Sequence, residues 1–204
     1  MKTITKATMT LAALFGLAGC AKENLSSPEK NLSGNTTVTL TADQENTGTK
    51  AEISSENSKL INWIKDDAIT VIDGEGNNVK FTLTDGAGTT TGTFESEKAS
   101  QATSYTALYP YQKDVTLHTA FNITTLKGVV LKSEQTAVPG SFDPEAALMT
   151  GTTGDGSTNL SFKNIVGFVK LTPTVSCKKI TLTGTSSAAL AGTADITMNN
   201  GLPV

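Results

Sequence analysis

From Thr36 onward the chain alternates between polar and apolar positions. Residues 36–41, Thr-Thr-Val-Thr-Leu-Thr, place the two kinds on opposite sides with a period of two, the signature of a half-buried strand. The pattern returns at 60–64, 68–72, 78–83, 89–94, 105–109, 129–131, 160–171, 180–182 and 194–198. In the 78–83 segment Val79, Phe81 and Leu83 share one face. Turn signals stand between the segments: Asp73-Gly74, Gly76-Asn77-Asn78, Asp85-Gly86, Gly154-Asp155-Gly156 and Asn199-Asn200-Gly201. Thr is the commonest residue, and β-branched side chains favour the pleat over the helix. Short strands with regular turns predict an all-β fold, an antiparallel β-sandwich.

The strongest core segment, 160–171, in which Phe162 leads into a nearly continuous apolar run, reads as a central strand buried on both faces, with Gly167 at a bulge or a close backbone approach. The expected core holds Trp63, Phe81, Phe94, Phe162, Ile165, Phe168 and Val169. One short helix, at most two turns, is expected over 143–149, where Asp143 can cap and Pro144 suits the first helical position.

The N-terminus follows a different pattern. Lys2 and Lys6 precede an apolar run over 7–16, and small residues follow it. This is a secretory signal; the run is about half the roughly 20 residues a membrane-crossing helix needs. Leu17-Ala18-Gly19-Cys20 resembles the bacterial lipobox, which implies a lipidated Cys20 as the first mature residue, a membrane partner through that lipid, and an outer-membrane or cell-surface location. The expected organisation is a signal over 1–19, a flexible polar tether over 20–35, a β-sandwich over 36–175, and over 176–204 its last strands or the start of a truncated second β domain. Residues 194–198 read as a strand and Asn199-Asn200-Gly201 as a hairpin turn, with Leu202-Pro203-Val204 reaching only the start of the return strand.

Removing 1–19 takes Lys2 and Lys6 with it and moves the net charge from −3 to −5. No basic patch can track a phosphate backbone, so no nucleic-acid partner is expected. The chain has no Arg, so bidentate carboxylate or phosphate clamps are unavailable. With Cys20 lipidated, Cys177 is the remaining thiol and no intramolecular disulfide can form; Cys177 reads as a small apolar residue at the start of a strand.

No catalytic constellation emerges. Asp73, Glu75 and Asn77 carry the i, i+2, i+4 spacing of an EF-hand loop, but the twelfth position is Thr84 rather than Glu, so the segment reads as a hairpin turn and no metal is expected. His118 is the single His, too few for a zinc cluster or a nucleophile–base pair. Neither a Gly-x-Ser-x-Gly elbow nor a phosphate loop occurs. Trp63, Tyr105, Tyr109, Tyr111 and Phe121 can be read as a sugar-stacking platform or as core, and core is favoured. The expectation is a protein without enzymatic activity or cofactor.

A series of segments carries a resemblance. Trp63 precedes Asp66-Asp67-Ala68-Ile69-Thr70-Val71; then come Thr91-Gly92-Thr93-Phe94 and Tyr105-Thr106-Ala107-Leu108-Tyr109-Pro110-Tyr111. Gln135 to Pro144, Leu148-Met149-Thr150-Gly151, Leu160-Ser161-Phe162-Lys163-Asn164 and Leu190-Ala191-Gly192-Thr193 continue it. In this order, behind a lipobox, the chain resembles the fimbrillin-like surface lipoproteins of anaerobic bacteria, the subunits of type V pili. The family's small-Gly-Asp turn after the Trp stands here as Lys65-Asp66-Asp67. The resemblance implies transthyretin-like β-sandwich domains and a role as shaft, anchor or tip subunit of a fimbrium in adhesion, with other subunits as partners through strand addition. Host or glycan ligands are further partners of that reading, and the alternative is a glycan-binding surface lipoprotein of a nutrient-uptake system. In shaft subunits a protease cuts after a basic residue behind the first strand; the matching place is Lys50 in Thr47-Gly48-Thr49-Lys50-Ala51. Cleavage at Lys50 would give a polymerising subunit, and an intact chain would stay anchored through 21–35. With no Arg in the chain an Arg-specific protease has no target, so the cut would need a Lys-specific or looser protease; the second reading is preferred, because an intact tether suits an anchor or stand-alone surface protein.

Overall fold

The structure, a computed structural model, describes residues 37–44, 52–53, 61–121, 123–185, 189–199 and 201–204. The signal, the tether, Cys20 and Lys50 lie outside the described residues. The all-β class holds. The strands are β1 (Val38–Gln44), β2 (Glu52–Ile53), β3 (Ile61–Asn62), β4 (Ala68–Ile72), β5 (Asn78–Asp85), β6 (Thr91–Ser96), β7 (Thr106–Tyr109), β8 (Thr116–Ala120), β9 (Ile123–Leu131), β10 (Met149–Thr152), β11 (Asn159–Asn164), β12 (Gly192–Asn199) and β13 (Leu202–Pro203). The helix expected over 143–149 shrinks to one 3-10 turn, Pro144–Ala146, which Asp143 caps by accepting from the Glu145 N–H. Met149 instead opens β10.

Seven strands close on themselves in the order β1-β11-β10-β7-β4-β5-β6. The sheet therefore closes as a barrel with one parallel pair, and is not purely antiparallel. The cause lies in β1, which uses both ladder edges. It runs antiparallel to β6, with Leu40 opposite Phe94, and parallel to β11, with Ala42 opposite Leu160. A strand paired on both sides leaves no seam, and closure removes the free edges of the sheet. A second sheet, β13-β12-β9-β8, packs beside the barrel, and β2 and β3 form a two-stranded ladder.

The alternation seen in the sequence sorts the barrel interior. Val38, Leu40 and Ala42 point inward from β1, Phe81 and Val79 from β5, Leu160 and Phe162 from β11, all joining Trp63, Ile69, Val71, Phe94 and Tyr109. A second cluster joins Ile72 and Leu108 of the barrel to Leu126, Val129 and Met198 of the second sheet. β7 is thus buried on both faces: Ala107 and Tyr109 face the barrel core and Leu108 the second cluster.

That double burial had been expected of 160–171, and there the expectation fails. Only Asn159–Asn164 is a strand. Its ladder with β10 ends at the pair Met149–Asn164, and that with β1 at Gln44–Phe162. Past those pairs one further backbone bond forms, from the Ile165 N–H to the Leu148 carbonyl at 3.0 Å, and the ladder ends there. Phe168 packs partly buried on Phe142 with ring centroids 4.4 Å apart, and Ile165 lies against the second cluster. Val169, expected inside, is 73% exposed, and no heavy atom would meet a Cβ at Gly167, so no bulge or close approach explains that glycine. Segment 180–182 forms no strand, and Ile180 and Leu182 are exposed. Cys177 is exposed in irregular backbone rather than at the start of a strand.

Gly92 marks the tightest approach inside the barrel. A Cβ there would stand 2.7 Å from Leu83 Cδ1 and 2.8 Å from Trp63 Cδ1. Gly92→Ala is expected to cost about 1–3 kcal/mol by overpacking. Gly154→Ala, in open space, should leave the midpoint of urea unfolding where it is. Equal midpoints for the two variants would show that the barrel tolerates the extra methyl.

Candidate functional site

The loop from Pro110 to Val115 joins β7 to β8 and is irregular, yet the barrel holds it at many points. The Tyr111 N–H donates to the Ala68 carbonyl at 2.8 Å. The Gln112 N–H donates to Thr70 Oγ1 at 2.9 Å, and Thr70 Oγ1 donates back to the Gln112 carbonyl at 3.2 Å. Asn78 Nδ2 donates to the carbonyls of Gln112 and Val115 at 2.8 and 2.7 Å. Thr70 is fully buried, so its hydroxyl needs this partner.

The loop then grips β9 by a side chain. Gln112 Nε2 donates to the Val130 carbonyl at 2.9 Å, and the Val130 N–H donates to Gln112 Oε1 at 2.8 Å. One amide thus substitutes for a neighbouring strand, since the β8 ladder stops at Lys127. Just before it, β9 carries an irregularity where Lys127 and Gly128 stand opposite Asp195. Gly128 sits at φ +78°, a left-handed conformation that a side chain would strain, and its N–H donates to Asp195 Oδ1 at 3.2 Å.

These devices open a cleft of about 250 Å³ lined by Pro110, Tyr111, Gln112, Asp114, Gly128, Val130, Lys132 and Glu145. Lys132 and Glu145 pair across its far side, both exposed. Lys80 Nζ lies 5.7 Å from the centroid of the Tyr111 ring. Gln112→Ala removes the clamp and leaves two backbone groups of Val130 to solvent. An expected loss of about 1–2 kcal/mol, with faster amide exchange at Val130, would follow; unchanged exchange there would show that the amide holds nothing.

The residues singled out from sequence fall elsewhere. Trp63, Tyr105 and Tyr109 are sealed in the core, Tyr111 is half-buried at the cleft and Phe121 is fully exposed at a positive φ. Core was the favoured reading of these aromatics; it holds for the first three and fails for Phe121. Asp73 makes the expected turn. Its Oδ1 accepts from the N–H groups of Glu75 and Asn77 at 3.0 and 2.9 Å, and its Oδ2 from that of Ser100 at 3.0 Å. Burial alone would raise this carboxyl, but the N–H groups of Ser100, Asn77 and Glu75 and the Asn77 amide outweigh it and hold it below the ordinary 3.8. With its oxygens so engaged, Asp73 is a turn former. Among the described residues no group of three or more His, Cys, Asp and Glu side chains is placed to hold a metal, and no helix is long and apolar enough to cross a membrane.

The sequence reading missed Gln112, Asp114, Lys132 and Glu145. Each is an ordinary surface residue by type, and only the fold brings them together. The available signals were Gly128 directly ahead of the 129–131 strand pattern and the cluster Tyr109-Pro110-Tyr111 ahead of a polar loop.

The second sheet differs from the barrel in its edges. β13 pairs with β12 only at Met198 and Asn199, and the Val204 N–H reaches the Thr197 carbonyl. Residues 192–196 of β12 have β9 on one side and, among the described residues, no strand on the other. β8 forms the opposite edge. Comparison with protein-family models, curated proteins and solved structures finds no match.

Proposed function

We propose that the chain is a non-enzymatic cell-surface lipoprotein, anchored in the outer membrane through Cys20, that serves as a subunit, anchor or tip of a fimbrium. The observation that carries this reading is the contrast of edges. The barrel has no edge to offer, whereas residues 192–196 of β12 lack a strand neighbour among the described residues. An extended segment of a neighbouring subunit added there would gain main-chain hydrogen bonds, and alternate side chains would set its register. The fimbrillin-like series of segments supports the same reading. Its transthyretin-like sandwich is the finer architectural proposal: a closed barrel and a two-sheet sandwich share the inward alternation found in β1, β5 and β11.

Lys50 keeps its two readings within this proposal, with the uncut, anchored chain preferred. The glycan-binding alternative loses Trp63, Tyr105 and Tyr109, which are buried, and rests on the Tyr111 cleft alone.

The test is imaging of producing cells with an antibody to this chain, paired with N-terminal sequencing of the surface form. Labelled fimbriae that vanish on deletion, and a lipidated Cys20 at the mature N-terminus, are expected. A protein confined to the periplasm, with fimbriae unchanged by deletion, would overturn the reading. A mature N-terminus at Ala51 would overturn the preference for the uncut chain.

A further inference from the structure

We propose that the cleft between the 110–115 loop and the end of β9 binds a neutral pyranose, with the Tyr111 ring under the sugar and Asp114, Lys132 and Glu145 around its hydroxyls. This site stands apart from strand addition, and its failure would leave the fimbrial reading intact.

Preorganisation is the first argument. The loop needs no ligand to take shape, since Ala68, Thr70, Asn78 and the Gln112–Val130 pair already fix it. A connection between two strands does not require a side chain that stands in for a missing strand. It is what a rigid recognition surface requires, because held groups lose little freedom on binding. The left-handed Gly128 serves the same end. Its bulge lies where the β8 ladder stops, and a Cβ there would come within 3.7 Å of the Asp114 carbonyl, on the cleft wall.

Size and chemistry decide the ligand class. About 250 Å³ is below the usual range for drug-sized ligands and suits one sugar ring. Pro110, Tyr111 and Val130 give an apolar side, and Val130 is 42% exposed. Asp114 and Glu145 accept hydrogen bonds and Lys132 donates them. A pyranose matches that division, with an apolar C–H face and hydroxyls at its rim. Gln112 is already spent on Val130 and acts as floor. Two carboxylates against one ammonium leave the lining at −1, which opposes an anionic sugar or a phosphate. A cation finds Lys132 in the cleft and Lys80 against Tyr111, so neither charge sign is favoured over a neutral polyol.

Saturation-transfer NMR on the full-length protein tests this with methyl glycosides of glucose, galactose, mannose and N-acetylglucosamine, and with N-acetylneuraminate as the anionic comparison. At least one neutral glycoside is expected to receive saturation on its ring protons. Its affinity should fall about tenfold or more, that is by roughly 1.4 kcal/mol, in Tyr111→Ala and in Asp114→Asn. Asp114 is exposed, so Asp114→Asn should keep the wild-type thermal transition even where Tyr111→Ala does not. No transfer to any neutral glycoside, binding unchanged in Asp114→Asn, or N-acetylneuraminate binding as tightly as the best neutral sugar would each overturn the proposal.

Discussion

Truncating Trp63 to alanine is expected to lower the unfolding free energy by about 3–5 kcal/mol, much of the 5–15 kcal/mol typical of a whole domain. Trp63 is fully buried and sits at the centre of the barrel. Its ring meets Phe94, Tyr109 and Phe162 edge-on, with centroids 5.0, 5.4 and 5.7 Å away. Such edge-to-face pairs add to plain area burial. Its Nε1–H donates to the Ala42 carbonyl at 3.3 Å, tying the ring to β1. The backbone at Trp63 is also held, donating to the Thr89 carbonyl at 2.9 Å and accepting from the Gly88 N–H at 2.7 Å. Three aromatic neighbours on three different strands cannot all collapse into the space left behind, so the cavity persists and the cost stays near the upper end. Trp63→Phe separates the contributions: it restores part of the ring and removes only the indole's bond to the Ala42 carbonyl, and should cost less than the alanine change. Chemical unfolding of the two variants checks this. A loss under about 1 kcal/mol for Trp63→Ala would mean that the barrel core is not organised around this ring.

Much of the barrel was legible because its strands obey period two. Val38, Leu40 and Ala42 in β1 and Val79 and Phe81 in β5 alternate with exposed or half-buried neighbours as the pattern requires. What was not legible is which strand meets which. The β1–β11 pairing joins segments far apart in the chain, and no local signal marks it. Without it the seven strands form an open sheet, and with it a barrel. The run over 160–171 misled for a related reason: hydrophobicity continues after the ladder partners have ended. β8, Thr-Leu-His-Thr-Ala, has Leu117 as its single large apolar residue and gave too weak an alternation to notice. β10 is four residues long and opens at Met149, the last residue of the expected helix. The cleft was hidden more deeply, since its construction depends on a glutamine amide meeting the backbone of another strand.

The candidate cleft and the strongest barrel strands share their supports. Thr70, which holds Gln112, lies in β4 between Ile69 and Val71, both facing the barrel core. Asn78, which holds the loop carbonyls, opens β5. Loosening the core therefore loosens the cleft, whereas changes at Asp114 or Glu145 touch only the solvent side. The two kinds of variant should separate stability from binding.

The second large effect is a dependence of stability on pH centred on Asp67. This carboxylate is buried at the end of the barrel core. Its Oδ1 accepts from the Tyr109 hydroxyl at 2.9 Å and its Oδ2 from the Ile64 N–H at 2.8 Å. Burial pushes its pKa up from 3.8 to about 6, and the bonds from Ile64 and Tyr109 offset that only in part. Tyr109 moves up as well, through its own burial, the negative charge of Asp67, the bond it donates there and the charge of Asp143, so its hydroxyl stays protonated at neutral pH. The direction for Asp67 is then set. Below 3.8 both the folded and the unfolded chain hold the proton, and the group costs nothing. Between 3.8 and about 6 the folded chain holds it and the unfolded chain does not, so stability falls as pH rises. Above about 6 the full cost of a buried carboxylate is present, roughly 3 kcal/mol at about 1.4 kcal/mol per pH unit. Asp73 acts in the opposite sense and in a different window, stabilising above 3.8 and losing that stabilisation as pH falls below it. Asp67→Asn cannot ionise and still offers one oxygen and one N–H group to Ile64 and Tyr109. The difference in unfolding free energy between wild type and Asp67→Asn cancels the other titrating groups. It should move against wild type by roughly 2–3 kcal/mol from pH 4 to pH 7. A difference that stays constant over that range would mean that Asp67 titrates in the folded barrel as it does in the unfolded chain.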